Sequence, residues 1–345
     1  MVEEVKGSTI LLTGATGFIG HLAACRILEK WTACQLILPV RDLDKAQKMY
    51  AAIQIGRRCE PYFVESNVEE LDCGKIPMPV DYIIHCAAPT SSGYMISHPA
   101  ETADSVVLGT RNMLELAKDL RIKSMVHLSS MEVYGQVDDI GRPRREDELG
   151  DIDLKNPRSC YPLGKRMAEH YCHIYQQEYG VPVKIARMAQ VFGRGVRLDD
   201  QRVFMQFAQA AYRGEDIVLH TAGLSMGNYC DADDAVDAIF TLLQRGRDGE
   251  VYNVVNEENT MRIKDMAELV AEKIAGKRIR VHIEPDARYA AQYAPATALR
   301  LSSAKLRKLA WQPAAGLEQM YQNVLDEIKT AESESLRGSA NKNSN

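Results

Sequence analysis

The chain has 345 residues, 46% hydrophobic and 26% charged, enough to bury a substantial core as one large domain or two joined ones. A net charge of -5 gives no general attraction for nucleic acid or anionic membrane, so any basic site must be local. No apolar run approaches the roughly 20 residues that span a bilayer. The acidic start Glu3-Glu4 does not resemble a signal peptide, and the expectation is a cytoplasmic protein. Eight scattered cysteines, with no Cys-x-x-Cys pair, point to reduced thiols rather than zinc or disulfides, and the eight histidines show no metal-binding pattern.

An apolar run, Thr9 to Leu12, leads into Thr13-Gly-Ala-Thr-Gly-Phe-Ile-Gly20 and then a helical pattern, His21 to Lys30. Gly14 suits the tight turn out of a strand, Gly17 a close approach of backbone to a pyrophosphate, and Gly20 close packing of helix on sheet. Three glycines can also serve packing alone. The strand before, the helix after and a second strand at Gln35 to Val40 favour dinucleotide binding, with Thr16, Phe18 and Ile19 in the same turn. Arg41 and Asp42 follow that second strand, where the adenosine ribose is met. Asp42 would take the ribose hydroxyls of NAD, whereas Arg41 can pair with the 2′-phosphate of NADP; NAD is the expectation.

Tyr62 to Val64 reads as a third strand, with Asn67 and Val68 after it at the adenine edge. Val80 to His85 is the fourth, and Ala87, Ala88 and Pro89 at its carboxyl end are small enough to admit a nicotinamide ring. Glu101 to Leu120 and Met167 to Tyr179 carry apolar positions at helical spacing. They either only cover the sheet or also supply a four-helix contact in a homodimer, which is the expectation. Met125 to Leu128 is the fifth strand, and Ser130 and Glu132 lie just beyond it.

Tyr161 and Lys165 are four apart on a helix, hence on one face, and Pro162 puts Tyr161 near its start. Oxidising an alcohol needs a base for the hydroxyl proton. The Lys165 ammonium and a cationic nicotinamide ring are expected to favour the Tyr161 phenolate, with Ser130 hydrogen-bonded to the same substrate oxygen.

This order of glycine turn, strand-end serine and helical Tyr-x-x-x-Lys resembles the extended short-chain dehydrogenase/reductase family of nucleotide-sugar epimerases, dehydratases and decarboxylases, over Ile10 to Ile328. The resemblance is strongest to the UDP-glucuronate decarboxylases, in the Pro89 to Met95 loop, the run Pro157 to Tyr161, and Asp200-Gln-Arg-Val203. It implies a doubly wound α/β Rossmann sheet with a smaller C-terminal α/β substrate domain. It also implies a catalytic set of Ser130, Glu132, Tyr161 and Lys165, and substrate contacts from Tyr94, Ser130, Gln190 and Arg202. The expected division is residues 1–187 plus 232–260 for NAD(P), 188–231 plus 261–330 for substrate, and a disordered tail from 331 to 345.

The implied reaction oxidises a nucleotide sugar at C4 and makes a transient ketone, then decarboxylates or epimerises before the cofactor is restored. Met131, where dehydratases carry an aspartate, cannot transfer a proton and disfavours dehydration. Three positions depart from the family: Gln190 replaces Asn, Val106 replaces Asn, and Gly227 replaces the arginine that faces the diphosphate. A second reading, encouraged by Arg41 and Gly227, is an NADP-dependent carbonyl reductase acting on a smaller or non-nucleotide substrate. In the decarboxylase reading, Arg194, Arg197 or Arg202 would compensate for the lost cation.

Overall fold

The computed structural model describes residues 7–31, 34–51, 53, 59–286 and 297–342, with side chains up to 333. Its large sheet has the order β10-β6-β5-β4-β1-β2-β3, all parallel. These strands are β1 (Thr9–Thr13), β2 (Gln35–Val40), β3 (Glu60–Glu65), β4 (Tyr82–His85), β5 (Ser124–Ser130), β6 (Val183–Met188) and β10 (Val251–Val254). The central strands are buried on both faces, which is why they read as continuous apolar runs rather than alternating ones.

Helices α1 (Phe18–Lys30) and α7 (Ala232–Arg245) supply the core on one face, around Ile27, Leu28, Val236 and Phe240. On the other face α4 (Pro99–Leu120) and α5 (Cys160–Tyr179) bring Met113, Leu114, Cys172 and Tyr175. Pro99 opens α4, where its missing amide costs nothing, and Gly180, at φ 69°, closes α5. The second helix starts at Cys160, seven residues before the expected Met167, so Tyr161 and Lys165 lie in its first turns.

A second cluster, around Phe192, Phe204, Tyr229, Met266 and Tyr321, packs beneath a three-stranded sheet of order β11-β9-β7. Its strands are β7 (Gln190–Phe192), β9 (Met226–Asp231) and β11 (Asn256–Arg262). Asn256–Arg262 pairs with β9, so its first residues join the small sheet although the expected boundary, at 260, kept them with the nucleotide-binding unit. The helix expected from Met261 to Ile274 begins at Ile263 and ends as a π-helical turn.

The last helix runs Leu317–Lys342. It extends into the segment expected as a disordered tail: Ala331 and Glu332 are good helix formers, and Glu332 accepts a hydrogen bond from Tyr212 at 2.6 Å. Residues 343–345 of that tail lie outside the described residues. Among the described residues no helix is long and apolar enough to cross a membrane.

Candidate active site

The order of the large sheet reverses between β1 and β4, whose carboxyl ends meet at one edge; an open α/β sheet binds ligands in the crevice there. Gly14 sits at that point with φ 73°, and a Cβ on it would come within 2.9 Å of the Ala87 amide nitrogen. A Cβ on Gly20 would run into the Gly14 carbonyl oxygen, so α1 lies against the turn only because that residue is glycine. Thr13 Oγ1 accepts the Ala87 amide at 3.2 Å, and Tyr50 donates to the Ala15 carbonyl at 2.8 Å. The α1 N-terminus has no side-chain cap and no acid in its first turn, leaving its amides for an anion. The turn Gly14 to Ile19 and the loop Ala87 to Pro89 leave neighbouring strands at this edge and approach closely at Gly14 and Ala87, an arrangement that suits a dinucleotide's pyrophosphate.

The catalytic candidates converge beside it. Ser130 ends β5, and its Oγ accepts the Glu132 amide at 3.2 Å and reaches the Tyr161 phenol. Lys165 Nζ lies 5.9 Å from the centre of the Tyr161 ring and donates to the Leu128 carbonyl at 2.6 Å. Tyr161 is 7% exposed and Lys165 3%. Gly164 lets α5 cross α4 closely beside them, since a Cβ there would stand 3.3 Å from Val106 Cγ1. Val106, Met95 and Ala168 pack with Tyr161 as a small apolar cluster.

The electrostatics depart from expectation. Burial pushes the Tyr161 phenol up, and the Glu132 carboxylate pushes it further; Ser130, Arg158 and Arg202 pull it back, rather than Lys165. The phenolate expected from the neighbouring ammonium is thus not favoured by these side chains alone. Burial lowers Lys165 to about 8, despite the Glu169 carboxylate. The reason is dielectric: both groups lose water, and desolvation opposes each charged form.

On the substrate side, Tyr94 is exposed and stacks on His98, with ring centres 4.5 Å apart. Arg202 is bound to Asp200 at 2.6 Å and lies 4.7 Å from the centre of the Phe204 ring. Its charge acts on the hydroxyls of both Tyr161 and Tyr229. The other two proposed compensating cations are engaged, Arg194 with Asp233 and Arg197 with Asp199. Among the described residues Gln190 Oε1 is buried without a partner, and its register partner across β7 and β9 is Tyr229, whose hydroxyl is also buried and without a partner there. Asn67 and Val68 follow β3; Asn67 is exposed, and the Val68 carbonyl accepts from Asn112 at 2.7 Å. Asp42 Oδ1 accepts the Lys45 amide at 2.9 Å, and both Arg41 and Asp42 are exposed.

Sequence reasoning gave no role to Arg158, which pairs with Glu132 at 3.1 Å and lies 6.0 Å from the centre of the Tyr161 ring. Its place just before the helical pair was the available signal. Tyr229 was also missed. Positions two apart on a strand share a face, which already placed it beside Gly227.

The family model for the NAD dependent epimerase/dehydratase family matches residues 10–255. Two similar relatives are UDP-glucuronic acid decarboxylases of Arabidopsis thaliana. Number 3 is 34% identical over 77% of this chain and 74% of its own, and number 6 is 31% identical over the same shares. Among solved structures, UDP-glucuronic acid 4-epimerase from Bacillus cereus, in complex with UDP-glucuronic acid and NAD, has a TM-score of 0.76 at 22% identity. That likeness covers 94% of this chain and 99% of the epimerase.

Proposed function

Because the chain belongs to the NAD dependent epimerase/dehydratase family, we propose that it is a cytoplasmic enzyme that modifies a nucleotide sugar through a transient 4-keto intermediate, by decarboxylation or epimerisation. The observation that carries this reading is the convergence of Ser130, Tyr161 and Lys165 beside the glycine turn. NAD, when bound, supplies a reversible hydride acceptor.

Tyr161 takes the C4 hydroxyl proton, and Ser130 holds the same oxygen as it becomes a carbonyl. Lys165 is fixed by the Leu128 carbonyl one helical turn from Tyr161, with its ammonium 5.9 Å from the ring centre. In a substrate carrying a carboxylate on C5, the C4 ketone makes a β-keto acid. The bond to the carboxylate breaks, carbon dioxide leaves, and its electron pair passes into an enolate that is then protonated at C5. Tyr161 returns its proton to the C4 oxygen as the ketone is reduced.

The Glu132–Arg158 pair faces this region. Dehydration would need an acid at Met131, which has none.

Incubating the protein with UDP-glucuronate tests the reading. Release of carbon dioxide and a UDP-pentose, or a C4 epimer, with no net cofactor consumed, supports it; an unchanged panel of UDP-, dTDP-, CDP- and GDP-sugars refutes it. A net carbonyl reduction is the second reading, favoured by Tyr229 standing where a diphosphate cation would be, and stoichiometric consumption of NADPH would identify it.

The proposed enzyme is a homodimer. Leu108 on α4 and Met167 and Tyr179 on α5 leave apolar surface exposed on neighbouring helices, as a four-helix contact requires. Light scattering that gives the monomer mass at micromolar concentration would refute this part.

A further inference from the structure

We propose that the adenosine end of the crevice is built to take a 2′-phosphate, with Arg41 as its cation, so that the protein binds NADP as well as NAD. The inference rests on the dinucleotide cradle and is independent of the sugar chemistry proposed above. Strands β1 and β2 are parallel neighbours, so the residues leaving each emerge side by side at the same edge. Those leaving β1 form the glycine turn, and those leaving β2 are Arg41 and Asp42.

An NAD-selective ribose site uses a carboxylate that accepts a hydrogen bond from the ribose 2′-hydroxyl. Asp42 has one oxygen committed: its Oδ1 accepts the Lys45 amide at 2.9 Å and caps helix α2 (Leu43–Tyr50), so only Oδ2 can meet a ribose hydroxyl without giving up the cap. The next acid at this edge, Glu65, is the register partner of Val40, and no ion pair joins it to Arg41 among the described residues.

Arg41 is exposed and, among the described residues, has neither an ion-pair nor a hydrogen-bond partner. Lys45, one helical turn on, is exposed as well. The segment is nevertheless fixed in place. Val40 closes a buried strand at its front, and at its back Tyr50 ties the end of α2 to the Ala15 carbonyl of the glycine turn. A planar guanidinium held next to a ribose can form two parallel hydrogen bonds to a phosphate dianion, and has no comparable partner in a plain 2′-hydroxyl.

Titration calorimetry on the full-length protein tests this without reference to turnover, using NAD⁺, NADP⁺ and the fragments 5′-AMP and 2′,5′-ADP. The expected result is that 2′,5′-ADP binds more tightly than 5′-AMP and that NADP⁺ binds at least as well as NAD⁺. The margin should shrink as salt is raised. Arg41→Ala should weaken 2′,5′-ADP and NADP⁺ about ten- to a hundredfold and leave 5′-AMP and NAD⁺ within about threefold.

Equal affinity of the wild-type protein for the two fragments, or an Arg41→Ala variant that keeps the wild-type ratio, overturns the inference while leaving the NAD site in place. Failure to bind either dinucleotide overturns the cradle itself and this inference with it.

Discussion

The hydroxyl of Tyr229 lies directly over Gly227, in the space that any side chain at 227 would enter. Both residues are on β9, two apart, and Tyr229 fills the gap with its ring packed edge-on against Phe192, 5.7 Å between centres. The missing arginine at 227 is therefore not a simple vacancy. A neutral buried phenol lies where a side chain at 227 would begin.

Restoring that arginine alone should fail. Gly227→Arg places a Cβ against the Tyr229 ring and hydroxyl within a packed core, and should cost more than about 2 kcal/mol. Urea denaturation measures it. A variant as stable as the parent would mean that Tyr229 swings clear.

Tyr229→Phe should do the opposite. Among the described residues its hydroxyl is buried without a partner, so deleting it removes an uncompensated desolvation cost and should stabilise the protein by about 1 kcal/mol. A drop in melting temperature would show that the hydroxyl has a partner in solution.

Lys165 makes stability depend on pH in a definite direction. Burial lowers it from 10.5 to about 8, so between those values the unfolded chain holds more protons than the folded one. Stability then rises with pH. The penalty is fully present below about 8 and is relieved as pH climbs through the folded value towards 10.5. Lys165→Met should lack this rise, and parallel stability curves for the two proteins from pH 7 to 10 would contradict the assignment.

Tyr161→Phe removes the proton acceptor and little else. Turnover should fall at least about a hundredfold, with dinucleotide affinity, measured by calorimetry, within about threefold of the parent. Retained turnover would assign the base elsewhere.

Glu132→Gln separates two roles for that carboxylate. The Glu132 charge pushes the Tyr161 phenol up, so removing it should move the Tyr161 limb of the pH–rate profile to lower pH. A rate loss at every pH, with no shift of the limb, would instead assign Glu132 a proton-transfer role.

The glycine turn, the strand-end Ser130 and the Tyr161–Lys165 spacing were legible in the chain because each is a local requirement: a positive φ, a strand terminus, one helical turn. The same holds for the parallel core strands, whose apolar runs mark burial on both faces. Boundaries were less legible. Neither the start of α5 at Cys160 nor the pairing of Asn256–Arg262 with β9 is dictated by neighbouring residues, since tertiary contacts supply the energy that extends a helix or selects a strand's partner.

Charge states and vacant places were decided only in three dimensions. The sequence shows Lys165 one turn from Tyr161, but whether its ammonium or the loss of water governs the phenol depends on burial, and burial is set by α4, α5 and β5 together. Likewise Gly227 reads as a missing cation until the fold places the Tyr229 hydroxyl above it, and Asp42 reads as a free acid until the helix it caps engages one of its oxygens. Local conformation follows from neighbours along the chain; dielectric environment and free volume belong to groups that only folding brings together.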